Sequence, residues 1–130
     1  MDWIDVLDRP VFLRTLFPVA PPLRKVRIFE LRLHQDGPRV MLRFDLNDFP
    51  AEPPEKWVAA KANTAQVTLG CTGVRDLEIQ GWTVDNLADI EMVREAPGRL
   101  SLSAVAPGFL LKAHCQVIWT DSVSGYTRSL

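Results

Sequence analysis

The stretch RVMLRFDL, residues 39–46, limits the possible folds more than any other part of the chain. Val40, Leu42, Phe44 and Leu46 share one parity, and Met41, Arg43 and Asp45 share the other. That is the period of an extended strand with one apolar face. The preceding run, Lys25–His34, alternates as well, with Phe29, Leu31 and Leu33 set against Glu30, Arg32 and His34. Val26 and Ile28 carry the opposite parity to Phe29, so a bulge near Ile28 is expected. Between the two runs lies QDGP, where Gly37 can take the positive φ that a tight turn requires. Together they predict a β-hairpin.

Five more short runs continue the pattern. Strands are expected over Ala65–Leu69, with Val67 and Leu69 inward, and over Leu77–Val84, Ile90–Val93, Leu100–Ala106 and Phe109–Trp119. Phe109, Leu111, Ala113, Cys115, Val117 and Trp119 have one parity, so the last run reads as a single long strand. No strand–helix–strand crossover follows residue 20, which favours antiparallel pairing. NDFPAEPPEKW has three prolines in 11 residues and reads as an irregular surface connection, with Trp57 able to fold back onto the core. Residues 2–17 read as helix. Asp2 can cap the start, Pro10 can open a second short helix capped by Asp8, and Pro18, Pro21 and Pro22 end it. The polar tail DSVSGYTRSL is expected to fray. The fold class is mainly β (α+β): an antiparallel sheet of about seven strands, curled or two-layered. The domain is single, residues 1–130, with a helical segment over 1–18, β structure over 24–119 and a tail over 120–130. At this length such a domain buries roughly two-thirds of the surface of its unfolded chain.

The net charge is −1, so no overall field draws the chain to nucleic acid or to an anionic membrane. The charges are nonetheless segregated. Arg9–Arg43 holds eight basic residues and two acidic ones, while Arg75–Glu95 holds two basic and six acidic: Asp76, Glu78, Asp85, Asp89, Glu91 and Glu95. Two readings stand: solvent faces of different strands, or an acidic and a basic face suited to a charged protein partner. The N-terminus lacks the pattern of a signal peptide and no run reaches 18 apolar residues, so a cytoplasmic chain with two reduced thiols is expected.

Catalytic patterns are sparse. Cys115 and His114 are adjacent on a strand and face opposite sides. Cys71, between Gly70 and Gly73, reads as more open, with no activating base to pair with it. Asp76 with Glu78, and Asp89 with Glu91, sit two apart on one strand face, where a solvated surface is the commoner role and acid–base or cation chemistry the rarer one. No phosphate-binding glycine motif and no zinc-ligand spacing occurs, so no cofactor or metal is expected. Trp3 and Trp119 follow the core periodicity. Trp82 follows Gly81 at a parity break between acidic residues, and it reads either as core or as an exposed anchor for a partner.

Taken in order, WIDVL, PVFLRTLF, PPLRKVRIFELRLHQDGPRVMLRFDLNDFP, Trp57, VTLGCTGVRDLEIQGW and DIEMV form a series that resembles the bacterial immunity protein 50 family of polymorphic toxin systems. The resemblance runs from Trp3 to Trp119. It implies a mostly-β protein that binds a cognate toxin domain and blocks it inside the producing cell or its kin. Under that reading Trp82, Asp85, Asp89 and Glu91 are the expected partner-binding residues, with the carboxylates steering a basic toxin. The alternatives are a small-molecule or lipid carrier built around an apolar pocket, and an enzyme working through the carboxylate pairs.

Overall fold

The computed structural model describes residues 2–129, leaving Met1 and Leu130, the two ends of the expected domain, outside the described residues. Eight strands form one antiparallel sheet: β1 (Val26–His34), β2 (Arg39–Asp45), β3 (Thr64–Thr72), β4 (Arg75–Gln80), β5 (Asn86–Ala96), β6 (Arg99–Ala106), β7 (Phe109–Cys115) and β8 (Val117–Tyr126). Their spatial order is β4-β7-β6-β5-β1-β2-β3-β8. Three short helices accompany them: α1 (Trp3–Val6), α2 (Val11–Leu16) and α3 (Glu55–Ala59).

The expected hairpin is β1–β2. Its ladder pairs Leu31 with Leu42 and Leu33 with Val40, and its register shifts between Ile28 and Glu30. Phe29 is therefore the bulged residue, one position from where the parity argument put the break. Val26 and Ile28 face the core with Val40, Leu42 and Phe44, whereas Phe29 is turned outward.

The sheet folds over itself at two places. On one side, β1 and β5 meet along only three residue pairs, Val26–Ala88, Arg27–Leu87 and Ile28–Asn86. On the other side, the β3–β8 ladder runs on into the β4–β7 ladder through a kink. Thr72 pairs with Val117 before it, and Arg75 pairs with His114 after it. Gly73 makes the kink possible: its φ is +71, and a Cβ there would lie 2.7 Å from the Gln116 side chain. The two halves, β1-β2-β3-β8 and β5-β6-β7-β4, thus turn their apolar faces toward each other. Their inward residues, among them Leu42, Phe44, Leu69, Leu102, Leu111 and Ile118, join one buried cluster. The helices close its open side, with Ile4 and Leu13 fully buried.

Several sequence expectations need correction. The run Phe109–Trp119 is two strands, because inward parity passes from Cys115 to Ile118 across the kink. Trp119 consequently lies on the outer side, half-buried over Gly70, with Nε1 donating to Thr72 Oγ1 at 3.0 Å. The polar tail is not frayed: β8 continues to Tyr126, and Asn63 holds Arg128 by two bonds, donating to its carbonyl at 2.9 Å and accepting from its N–H at 2.8 Å. The proline-rich connection ends in α3, which lays Trp57 against Phe49, ring centroids 5.9 Å apart, and over Gly125. Asp8 does not cap α2. Its N–H donates to Ile118 O at 2.7 Å and its carbonyl accepts from Thr120 N–H at 3.1 Å, so it covers the free edge of β8. Asp2 does cap α1, in a capping box with Asp5. The Arg14 guanidinium bonded to Asp2 holds its carboxyl down at about 2. Cys71, expected to be open, is 1% exposed in the core.

Gly70 is the position where this packing is most easily tested. A methyl group at Gly70 would run into the Trp119 indole. Gly70→Ala is expected to destabilise the chain by about 1–3 kcal/mol, the usual cost of overpacking. Urea unfolding should show a lower midpoint with an unchanged slope.

Candidate functional site: an outward surface at the sheet seam

The four residues singled out in the sequence fall in different settings. Trp82 lies beyond the end of β4, in the segment 81–85. It is 43% exposed, with one side of its ring against Phe109 at 6.0 Å between centroids. The core reading for Trp82 is therefore corrected: the strand stops at Gln80, and Gly81, with φ +75, comes so close to the Gly108 carbonyl that no Cβ fits. Asn86 fastens this segment, accepting from Thr83 N–H at 2.9 Å and donating to Thr83 O at 2.7 Å. Asp85 is ion-paired with Arg27. Asp89 accepts from the Lys25 N–H at 2.9 Å and stands across from Val105, while Glu91 stands across from Ser103. Both project outward, since the alternate residues Ala88, Ile90 and Met92 are buried.

Three of the four share one surface. At the β1–β5 seam, Arg27 is opposite Leu87. One step along in one direction stand Asp89 and Lys25, and one step in the other stand Asp85 and the bulged Phe29. Phe29, Leu87 and Val105 are all exposed apolar side chains on this outward side. Trp82, by contrast, belongs to the β7 end of the sheet.

Beyond Phe29 lies a cluster that the sequence reading passed over. Asp45 is 1% exposed although it is on the outward parity of β2. Its Oδ1 accepts from Gln66 Nε2 at 3.0 Å, and its Oδ2 accepts from Tyr126 Oη at 2.5 Å and from Arg128 Nη1 at 3.3 Å. A buried carboxylate requires such donors, because an unpaired charge out of water is strongly destabilising. Arg43 Nη1 donates to Gln66 Oε1 at 3.2 Å, extending the network. Above it the guanidinium carbons of Arg43 and Arg128 lie 5.7 and 5.9 Å from the Phe29 ring centroid. Phe29, Arg43, Gln66, Ser124 and Tyr126 line a depression of about 320 Å³. Burial, reinforced by the Asp45 hydrogen bond, pushes the Tyr126 phenol up to about 12. One signal did point here: an aspartate inside the apolar run MLRFDL, with the chain's single tyrosine in the tail.

The family model for Immunity protein 50 matches residues 10–126, a span that includes the seam, all eight strands and every member of the network except Arg128. The chain belongs to the immunity protein 50 family. No curated protein and no solved structure matches it. Membership in the immunity protein 50 family implies a toxin as partner. An outward surface of mixed charge with exposed apolar side chains is the kind of feature such a partner engages.

Because the chain has one tyrosine, tyrosinate absorbance reads Tyr126 alone. Its midpoint should lie near 12 and move part of the way down toward 10 in Asp45→Asn, since burial remains when the charge is removed. The folded value lies above the unfolded one, so stability held by this phenol is intact below pH 10 and is lost as the pH climbs through about 12. Tyr126→Phe removes a hydrogen bond to a charged acceptor and should cost about 1.5–3 kcal/mol in urea unfolding.

Proposed function

We propose that this chain is a cytoplasmic immunity protein that binds a cognate toxin domain and neutralises it by covering its working surface, making and breaking no covalent bond itself. One observation carries the reading. A member of the immunity protein 50 family places Phe29, Leu87 and Val105 on one outward surface at the β1–β5 seam, where they contribute nothing to the core. Exposed apolar groups set among charges supply contact area and orientation together. An interface of ordinary size takes about 800 Å² from each partner. That is about a tenth of the 7578 Å² accessible surface of this molecule.

The carboxylates of Asp89 and Glu91, on the β5 side of the seam, serve the encounter step. A basic toxin approaching that side is drawn in by them, which raises the association rate at low salt. Trp82, three residues before Asp85, sits at the β4–β7 margin with one side of its ring against Phe109.

The test is co-expression with the toxin domain from the gene neighbourhood of this chain, followed by kinetics on the purified pair. The native chain should restore growth and bind the toxin. Reversing Asp89 and Glu91 together, both to Lys, should slow association about tenfold at low salt and much less at high salt. Growth arrest that persists with the native chain present would refute neutralisation. An unchanged association rate in the double variant would remove the carboxylates from the encounter.

A further inference from the structure

Among the described residues, the depression beside Phe29 and its surroundings hold one more guanidinium than carboxylate. Three guanidiniums, those of Arg32, Arg43 and Arg128, share two carboxylates. Glu30 Oε1 lies 3.3 Å from Arg32 Nε and 3.6 Å from Arg43 Nε. Asp45 is occupied by Arg128, Gln66 and Tyr126. Nη2 of Arg43 and Nη2 of Arg128 make no hydrogen bond among the described residues. Both guanidiniums are nevertheless held in place. Arg43 is bonded to Gln66. Arg128 is bonded to Asp45, and its backbone is clamped on both sides by Asn63. Phe29, 39% exposed, forms an apolar wall between them.

We propose that the toxin inserts one acidic side chain, an Asp or a Glu, into this depression, so that its carboxylate bridges Arg43 and Arg128 while its methylene groups lie on Phe29. The proposal rests on the reading of the chain as an immunity protein and names the anchoring contact within it. Charge complementarity favours a single carboxylate. A nucleic-acid strand presents a phosphate at intervals of about 3.4 Å along its axis, and Glu30 on the rim would repel the next one. A lone carboxylate meets only the unmatched charge. Paired guanidiniums recognise a carboxylate through directed N–H donors. Because Asp45, Gln66 and Asn63 already fix those donors, little ordering remains to be done on binding. Arginine, tyrosine and a half-exposed aromatic ring are also the side chains that dominate interface anchors.

Two measurements test this, with N-acetyl-glutamate N-methylamide as the first probe. In heteronuclear NMR titration, the Nε–H signals of Arg43 and Arg128 and the ring signals of Phe29 and Tyr126 should shift saturably, with an affinity in the range of about 1 mM. The neutral glutamine analogue should bind at least tenfold more weakly, and Arg43→Gln should abolish the shifts. Equal binding of the neutral analogue, or tighter binding of inorganic phosphate, would overturn the assignment to a side-chain carboxylate. The second measurement uses the toxin domain itself. Arg43→Gln and Arg128→Gln, each checked for an unchanged fold by its NMR spectrum, should speed dissociation at least tenfold with little change in association. Unaltered dissociation in both variants would overturn the anchor while leaving neutralisation intact. A native chain that binds no toxin would overturn both readings, whatever the glutamate probe does.

Discussion

The kink that carries the β3–β8 ladder into the β4–β7 ladder sets the rest of the architecture. At Thr72–Arg75 and His114–Val117 both stretches change direction without losing register, since two residues separate the flanking pairs on each side. A continuous flat ladder would leave the apolar faces of the two halves on one broad open surface. The kink turns one face onto the other, and with the narrow β1–β5 seam opposite it encloses a single core. Gly73 bears the local requirement, because its positive φ and the close Gln116 side chain leave no room for another residue. Cys71 and Cys115 flank this bend from the inside. The neighbouring Cys115 sulfur and burial together push the Cys71 thiol well up, which keeps it protonated and unreactive.

Folding over also separates the charges. Once the apolar faces are turned inward, the remaining parity of each half is exposed on opposite sides. The β1–β2 side then carries Arg32, Arg39 and Arg43, and the β4–β5 side carries Asp76, Glu78, Asp89 and Glu91. The two outward surfaces run together around the kink and again at the three-pair seam. Arg27 and Asp85 neutralise each other there, and Phe29 and Leu87 stand exposed on either side. A partner covering the seam meets acidic groups at one margin and guanidiniums at the other. Such a pattern selects orientation as well as sign.

How much of this was legible from the sequence follows from the range of each signal. Strict alternation over RVMLRFDL and RLSLSAVA is a local property, and both strands formed where it appeared. The bulge in β1 was visible for the same reason, as a parity change within one run. The split of Phe109–Trp119 was not visible, because residues 109–119 keep an unbroken apolar parity and the break is imposed by Gly73, in the connection between β3 and β4. Trp82 stayed open between core and exposed anchor for a related reason: how far its ring is covered depends on Phe109, distant in sequence. The tail looked like fraying polar chain because its partners, Asn63 and Asp45, lie more than 60 residues away. Asp8 was read as a helix cap when its backbone is used to cover a sheet edge.

The polar network around Asp45 belongs to the same class of long-range feature, and its location bears on its role. Its members come from four separate segments: Asp45 with Arg43 on β2, Gln66 on β3, Tyr126 at the end of β8, and Arg128 beyond it. A buried carboxylate satisfied by three donors adds little net stability compared with an apolar replacement, while breaking it is costly. Such a group holds side chains in fixed positions better than it strengthens a fold. Here it is set into the outer face of the sheet, apart from the core, directly beneath Phe29 and two guanidiniums. Rigidity placed under a surface lowers the ordering cost of whatever binds above it. An apolar residue could cover the sheet at this point with less risk; the ion-paired layer instead fixes the donors of Arg43 and Arg128. The two bonds from Asn63 to the Arg128 backbone belong to the same device, since they keep that guanidinium over Phe29 and beside Asp45.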